Sequence, residues 1–96
     1  MAIWRYGIMT SPQKSKGHRA ERDVLAWLRT FGYRVNRVQA GRPDDQGDIE
    51  GVDGVVIEVK DRKTHNWKEY FEQLERQIIN KQAYTGVILC KRPGYP

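Results

Sequence analysis

The apolar positions of this chain follow a helical period, then a strand alternation, then a helical period again. In residues 18–31, Ala20, Val24, Trp27, Leu28 and Phe31 recur at i, i+4, i+7, i+8 and i+11, which predicts a helix with one buried face. Gly32 follows at the position where a glycine usually ends a helix. In residues 33–38, Tyr33, Val35, Asn36 and Val38 alternate with arginines and predict a strand. Residues 39–46 carry glycine and proline and read as a loop. Residues 47–60 read as two short strands joined by a tight turn at Asp53-Gly54. Asn66-Trp67-Lys68-Glu69 resembles a capping box, and Trp67, Tyr70, Phe71, Leu74 and Ile78 form a helical stripe to about Lys81. An aromatic stripe at this spacing is read as core. Residues 85–91 predict a last strand, and Pro93 and Pro96 end regular structure. The order helix, strand, strand, strand, helix, strand predicts an α/β fold: an αβββαβ core with a mixed four-stranded sheet flanked by helices.

The hairpin of residues 47–60 carries the candidate chemistry. Val55-Val56-Ile57 and Val59 are a β-branched apolar run, and Asp48, Glu58 and Lys60 are set into it. Charges in so apolar a strand need a partner, water or a metal. Register decides whether they meet. A two-residue loop at Asp53-Gly54 sets Asp48 opposite Val59 and sends Asp48 and Glu58 to opposite faces. A three-residue loop, Val52-Asp53-Gly54, sets Asp48 opposite Glu58, with Gly54 as the left-handed residue. Asp48, Glu58 and Lys60 then share one face, and Ile49, Ile57 and Val59 share the other. The second register sorts polar from apolar and is the one expected. Two carboxylates beside a lysine suit a hard divalent cation held by oxygen.

Glu21 is the unusual residue of the first helix. At about 100° per residue it falls between Leu25 and Leu28, inside the apolar arc, while Arg19, Arg22, Asp23 and Arg29 take the charged side. An acid on the inward arc is expected to have a partner.

Composition narrows the function classes. Ninety-six residues make one domain. The net charge of +5 and the pI near 9.6 favour a polyanionic partner. Lys14, Lys16, His18, Arg19 and Arg22 form a basic cluster, read either as phosphate contacts or as a solvated tail, and Arg42, Arg62 and Lys63 are further basic candidates. Residues 1–16 are expected to be an N-terminal basic arm and residues 17–96 the domain. For residues 1–8 two readings stay open, an extension packed through Trp4 and Tyr6 or a disordered segment. Cys90 is the single cysteine, which excludes an intrachain disulfide and a cysteine zinc site and fits a reducing cytoplasm. No apolar run approaches the ~20 residues of a membrane helix, and Arg5 interrupts the apolar start that a secretory signal would need.

Asp48, nine intervening residues, then Glu58-Val59-Lys60 resembles the PD-(D/E)xK nuclease motif. Among its subgroups the chain is most similar to the small Holliday junction resolvase-like endonucleases, including phage-encoded ones. The likeness runs from about Gly17 to Lys91 and takes in Glu21, Gly47-Asp48-Ile49-Glu50-Gly51 and Ile57-Glu58-Val59-Lys60. One departure is that Gly47, not proline, precedes Asp48. A literal Pro43-Asp44 pair lies upstream in the loop and is a rival first acid. The resemblance implies a restriction endonuclease-like fold and a metal-dependent endonuclease that hydrolyses DNA phosphodiesters, with branched DNA such as Holliday junctions as the expected substrate. It implies Asp48, Glu58, Lys60 and Glu21 as catalytic residues. Asp48, Glu58 and the Val59 carbonyl would hold magnesium, with manganese as substitute. Glu21 would be a further acid of that cluster; the other reading is a structural ion pair, for instance with Lys60. Lys14, Lys16, Arg19, Arg22, Arg42, Arg62 and Lys63 would hold the DNA backbone. The resemblance also implies a homodimer in a bacterial or phage-infected cytoplasm. Two further readings are a non-catalytic nucleic-acid-binding module of the same fold and a plain basic α/β domain with a Glu58–Lys60 ion pair. No base-reading motif is visible, so structure rather than sequence is expected to select the DNA.

Overall fold

A run of β-branched residues with valine or isoleucine at almost every position forms a strand buried on both faces. Val55–Lys60 is that strand in the computed structural model, which describes residues 2–4, 13–39 and 43–91, with side chains for 19–39 and 43–91. In chain order the described elements are β1 (Ala2–Trp4), α1 (Gln13–Thr30), β2 (Asn36–Arg37), β3 (Ile49–Glu50), β4 (Val55–Lys60), α2 (Trp67–Lys81) and β5 (Thr85–Lys91). They form a sheet of order β1-β5-β4-β3-β2. β4 and β5 run parallel, joined across α2, and β3 is antiparallel to both β4 and β2. The αβββαβ core with its mixed four-stranded sheet is therefore present.

Beyond that core, β1 pairs in parallel with the outer edge of β5, Ile3 opposite Cys90, and makes a fifth strand. Three residues are too few to display a period, and the partner lies at the far end of the chain. α1 starts at Gln13, not at residue 18. Lys14 and Lys16 thus belong to the first turns of a helix. Of the expected apolar stripe, Ala20 and Val24 are buried and Leu28 partly so, while Trp27 and Phe31 are exposed; glutamine and lysine extend the helix toward its N-terminus at little cost. β2 is paired only at Asn36 and Arg37, shorter than the 33–38 expected, and Tyr33 and Arg34 lie outside it and exposed.

Both helix ends match their sequence signals. Gly32 has φ +90°, its amide donates to Arg29 O at 3.0 Å and the Tyr33 amide to Leu28 O at 3.4 Å, a left-handed stop. Asn66 caps α2 by accepting from the Glu69 amide at 3.2 Å. The two helices cover opposite sheet faces. Under α1 lie Val24, Leu25, Val35, Ile49, Ile57 and Leu89. Under α2 lie Val56, Tyr70, Leu74, Ile88 and Cys90. Alternation along β4 therefore sends Ile57 toward α1 and sends Glu58 and Lys60 to the α2 face, where both are buried.

α2 ends at Gln82, which holds the left-handed conformation at φ 56° and donates to Ile79 O at 3.1 Å, while the Ala83 amide reaches Ile78 O at 2.9 Å. A side chain in that region costs roughly 1–2 kcal/mol, and part of the gain from removing it is offset by the extra freedom of glycine in the unfolded chain. Gln82→Gly should therefore stabilise the protein by on the order of 0.5 kcal/mol, read as a shift in the urea midpoint at unchanged slope. A loss of stability would contradict the strain assigned to Gln82.

Candidate active site

The hairpin adopts the three-residue-loop register. Ile49 stands opposite Ile57, the Val55 amide donates to Val52 O at 3.2 Å, and Gly54 has φ +73°. Asp48 then lies beside Glu58. Its amide donates to Ile57 O at 2.8 Å, its carbonyl accepts from the Val38 amide at 3.0 Å, and Oδ2 accepts from the Val59 amide at 2.8 Å. Gly47 has φ +95°, and a Cβ there would come within 2.9 Å of both Ile57 O and Val56 Cγ1. Proline fixes φ near −65°, so the departure from the family motif at position 47 has a backbone cause.

A cavity of about 310 Å³ opens at this point, lined by Glu21, Asp48, Glu58, Val59, Lys60, Asp61 and Arg62. Glu58 and Lys60 are 6% and 7% exposed, with Lys60 Nζ 3.4 Å from Glu58 Oε1. Burial pushes the Asp48 carboxyl up to about 7, and the charge of Glu58 beside it adds to the rise. The Val59 amide bond and Lys60 pull the other way. Burial beside a second carboxylate thus favours the protonated form of Asp48, and a cation bound there would favour the ionised form instead. The Asp48 and Glu58 oxygens, with the Val59 backbone on the same wall, are a hard donor set that fits magnesium. Among the described residues no group of three or more His, Cys, Asp or Glu side chains is placed to hold a metal ion.

Glu21 reaches the cavity from α1, the helix on the opposite sheet face, with a side chain 16% exposed. It accepts from Arg37 Nε at 2.8 Å. An ion pair is thus present, with Arg37 and not with Lys60. Asp44 accepts from Gln46 Nε2 at 2.7 Å and does not line the cavity. Of the basic candidates, Arg62 lines the cavity and Lys63 is exposed next to it. Arg19 is half-buried and Arg22 exposed on α1. The side chains of Lys14 and Lys16 and the whole of Arg42 lie outside the described residues.

Asp45, Gln73 and Gln77 complete the site and were missed in the sequence. Gln77 is 1% exposed, and its Nε2 donates to Glu58 Oε2 at 2.6 Å and to both Asp45 oxygens at 3.0 Å. Gln73 accepts from Lys60 Nζ at 3.2 Å and donates to Asp45 Oδ2 at 3.3 Å. The result is a closed ring of contacts: Glu58, Lys60, Gln73, Asp45, Gln77 and back to Glu58. Burial raises the Asp45 carboxyl, but bonds from the Gly47 amide, Gln77 and Gln73, with the charge of Lys60, outweigh it and hold the group below its usual value. The signal was available. Gln73 and Gln77 fall one turn apart on the inward arc of α2, the position that made Glu21 conspicuous in α1. No protein-family model, no curated protein and no solved structure matches this chain.

The raised Asp48 pKa makes a stability prediction. An acid whose folded pKa lies above its unfolded value of 3.8 favours folding below that value, and the contribution is lost as pH rises through about 7. Without divalent cations the protein should lose thermal stability between pH 5 and pH 8 by about 4 °C or more. Asp48→Asn, which keeps an acceptor for the Val59 amide, should flatten that slope and melt higher than wild type at pH 8. An equal slope in both proteins would refute the buried, protonated Asp48.

Proposed function

We propose that this chain is a magnesium-dependent endodeoxyribonuclease that cuts branched DNA. The observation that carries the reading is the pairing of Asp48 and Glu58, with Lys60 on the same face, at a cavity open to a phosphate. Asp48 and Glu58 would hold the cation, with the Val59 carbonyl as a candidate third ligand. When bound, magnesium lowers the pKa of a water and offsets phosphate charge. Hydrolysis adds a water oxygen at phosphorus and breaks the opposite P–O bond, the water's proton passing to solvent and the departing oxygen taking one up, so negative charge grows on the non-bridging oxygens. Lys60 meets that charge from inside the cavity, and Arg62 from its wall. The ring through Gln73, Asp45 and Gln77 fixes the Glu58 and Lys60 rotamers, which lowers the entropic cost of a productive arrangement.

The +5 charge suits the DNA backbone, and binding should weaken with salt. A homodimer presenting two cavities would suit a four-way junction, because engaging both raises affinity through effective concentration. The competing reading, a binding module without catalysis, draws support from Glu21, which is paired with Arg37 and does not converge with Asp48 and Glu58 as a third carboxylate.

Labelled junction and linear duplex, incubated with Mg²⁺, Mn²⁺ or EDTA, separate the two. Wild type should cut the junction faster, with either metal and not in EDTA. Asp48→Asn, Glu58→Gln and Lys60→Met should each lower the rate at least about 100-fold. These replacements keep the side-chain volume; Glu58→Gln and Lys60→Met still leave the other charge of a buried pair uncompensated, at about 3–5 kcal/mol, so thermal melting of each variant accompanies the rate. Asp44→Asn should cut as wild type. DNA binding with no metal-dependent cleavage would leave only the binding module.

A further inference from the structure

Residues 61–66 lead from the cavity to the start of α2, and an aromatic group lines that path. Lys60 Nζ lies 4.9 Å from the centre of the Tyr70 ring, and the Arg62 guanidinium 5.7 Å from it. Tyr70 is 2% exposed, and its Oη is 3.0 Å from His65 Nδ1. His65 in turn stacks on Trp67, with ring centres 4.8 Å apart and 29° between planes. Trp67 also meets Tyr70 at right angles, 5.4 Å between centres. The three rings are therefore one packed unit. Its inner end touches the two cations of the cavity, and its outer end, Trp67, is 37% exposed.

Trp67 belongs to neither apolar core, where Tyr70 already fills the space at this end of α2. Its indole is packed on two other rings and keeps a little over a third of its surface open to water. Arg62, Lys63 and Lys68 lie within six residues of it, all exposed, and so do three acids, Asp61, Glu69 and Glu72, the last paired with Lys68 at 4.0 Å; the cations on the cavity side are Lys60 and Arg62. A partly exposed indole packed on two rings, with Tyr70 between it and the cations Lys60 and Arg62, suits a nucleotide. The phosphate goes to the cations and the base to the ring.

We propose that Trp67, held by His65 and Tyr70, is a stacking platform for an unpaired base close to the phosphate that the cavity takes. The proposal rests on the nuclease reading for the phosphate and adds what the platform selects. A base inside a duplex is stacked on both faces by its neighbours and has no face to offer. A base at a flap, a single strand or a branch point has one. Stacking is also tolerant of base identity, which agrees with a chain without a base-reading motif. The substrate class is thus branched DNA whose branch point or flap offers an unstacked base face near the cut, and the selecting group is an aromatic ring, not a hydrogen-bond code.

The test uses the full chain in EDTA at one fixed salt concentration, so that only binding is read. The probes are a duplex with a short single-stranded flap, the same duplex with abasic flap nucleotides, and a blunt duplex. Wild type should bind the flap carrying bases about tenfold more tightly than the abasic flap. Trp67→Ala should erase that difference, and Trp67→Phe should keep most of it. Equal binding of base-containing and abasic flaps by wild type overturns the proposal without recourse to any variant. So does a Trp67→Ala protein that keeps the difference, or wild type that binds none of the probes. A chain that prefers the base-containing flap but cuts nothing in Mg²⁺ keeps the platform and loses the nuclease. One that cuts in Mg²⁺ and ignores the bases does the reverse.

Discussion

Taking Glu58 and Lys60 out of water costs several kcal/mol per ion unless each finds a partner. The fold meets that cost with neighbours of complementary chemistry. β4 must be apolar to form the centre of the sheet, and its alternation delivers Glu58 and Lys60 to the face that α2 covers. α2 answers with Gln73 and Gln77 where an ordinary core helix would carry leucine, and Asp45 closes the ring from the loop before β3. Asp48 is brought up by the hairpin register and held by the Val59 amide. It is the member whose charge is least compensated, and its raised pKa records that imbalance. A site that holds a carboxylate short of positive charge is prepared for a cation.

The same arrangement explains where the cavity opens. β3 pairs with only part of β4, so the far end of β4 lacks a neighbour on that side, and α1 and α2 lie on opposite faces. Glu21 arrives from one helix and Arg62 from the turn that leads to the other. Asp48, Glu58 and Lys60 line the inside, and Asp61 and Arg62 follow them toward the way out. The path runs on through Tyr70 and His65 to the indole of Trp67. Position along β4, more than any single contact, sets this succession from the Asp48–Glu58 pair to Arg62 to the aromatic surface.

Much of the hairpin was legible in the sequence because its signals are local. Asp53-Gly54 and strict alternation selected the register that places Asp48 beside Glu58, and Gly32 and Asn66 marked helix ends by turn chemistry alone. What escaped was non-local or too short. β1 pairs with a strand some ninety residues away, and its three residues have no period to show. Glu21 was correctly placed toward the interior, but the helical arc could not say which cation it would meet, and Arg37 stands nearer than Lys60 in the folded chain. Gln73 and Gln77 were hidden by a stripe whose aromatic members drew the reading toward an apolar core. Glutamine is uncharged, so its inward position raised no alarm, although a buried amide needs partners as much as a buried acid does.

The central proposal is that Asp48, buried beside Glu58, keeps a proton that a divalent cation displaces. Calorimetric titration of the protein with Mg²⁺ at pH 6.5, in two buffers of different ionisation enthalpy, measures that exchange directly. The account predicts that the binding heat depends on the buffer, corresponding to release of up to about one proton. That release should fade above pH 8, where Asp48 is already ionised, and be absent in Asp48→Asn. Mg²⁺ binding with the same heat in both buffers, or no binding at all, would contradict it.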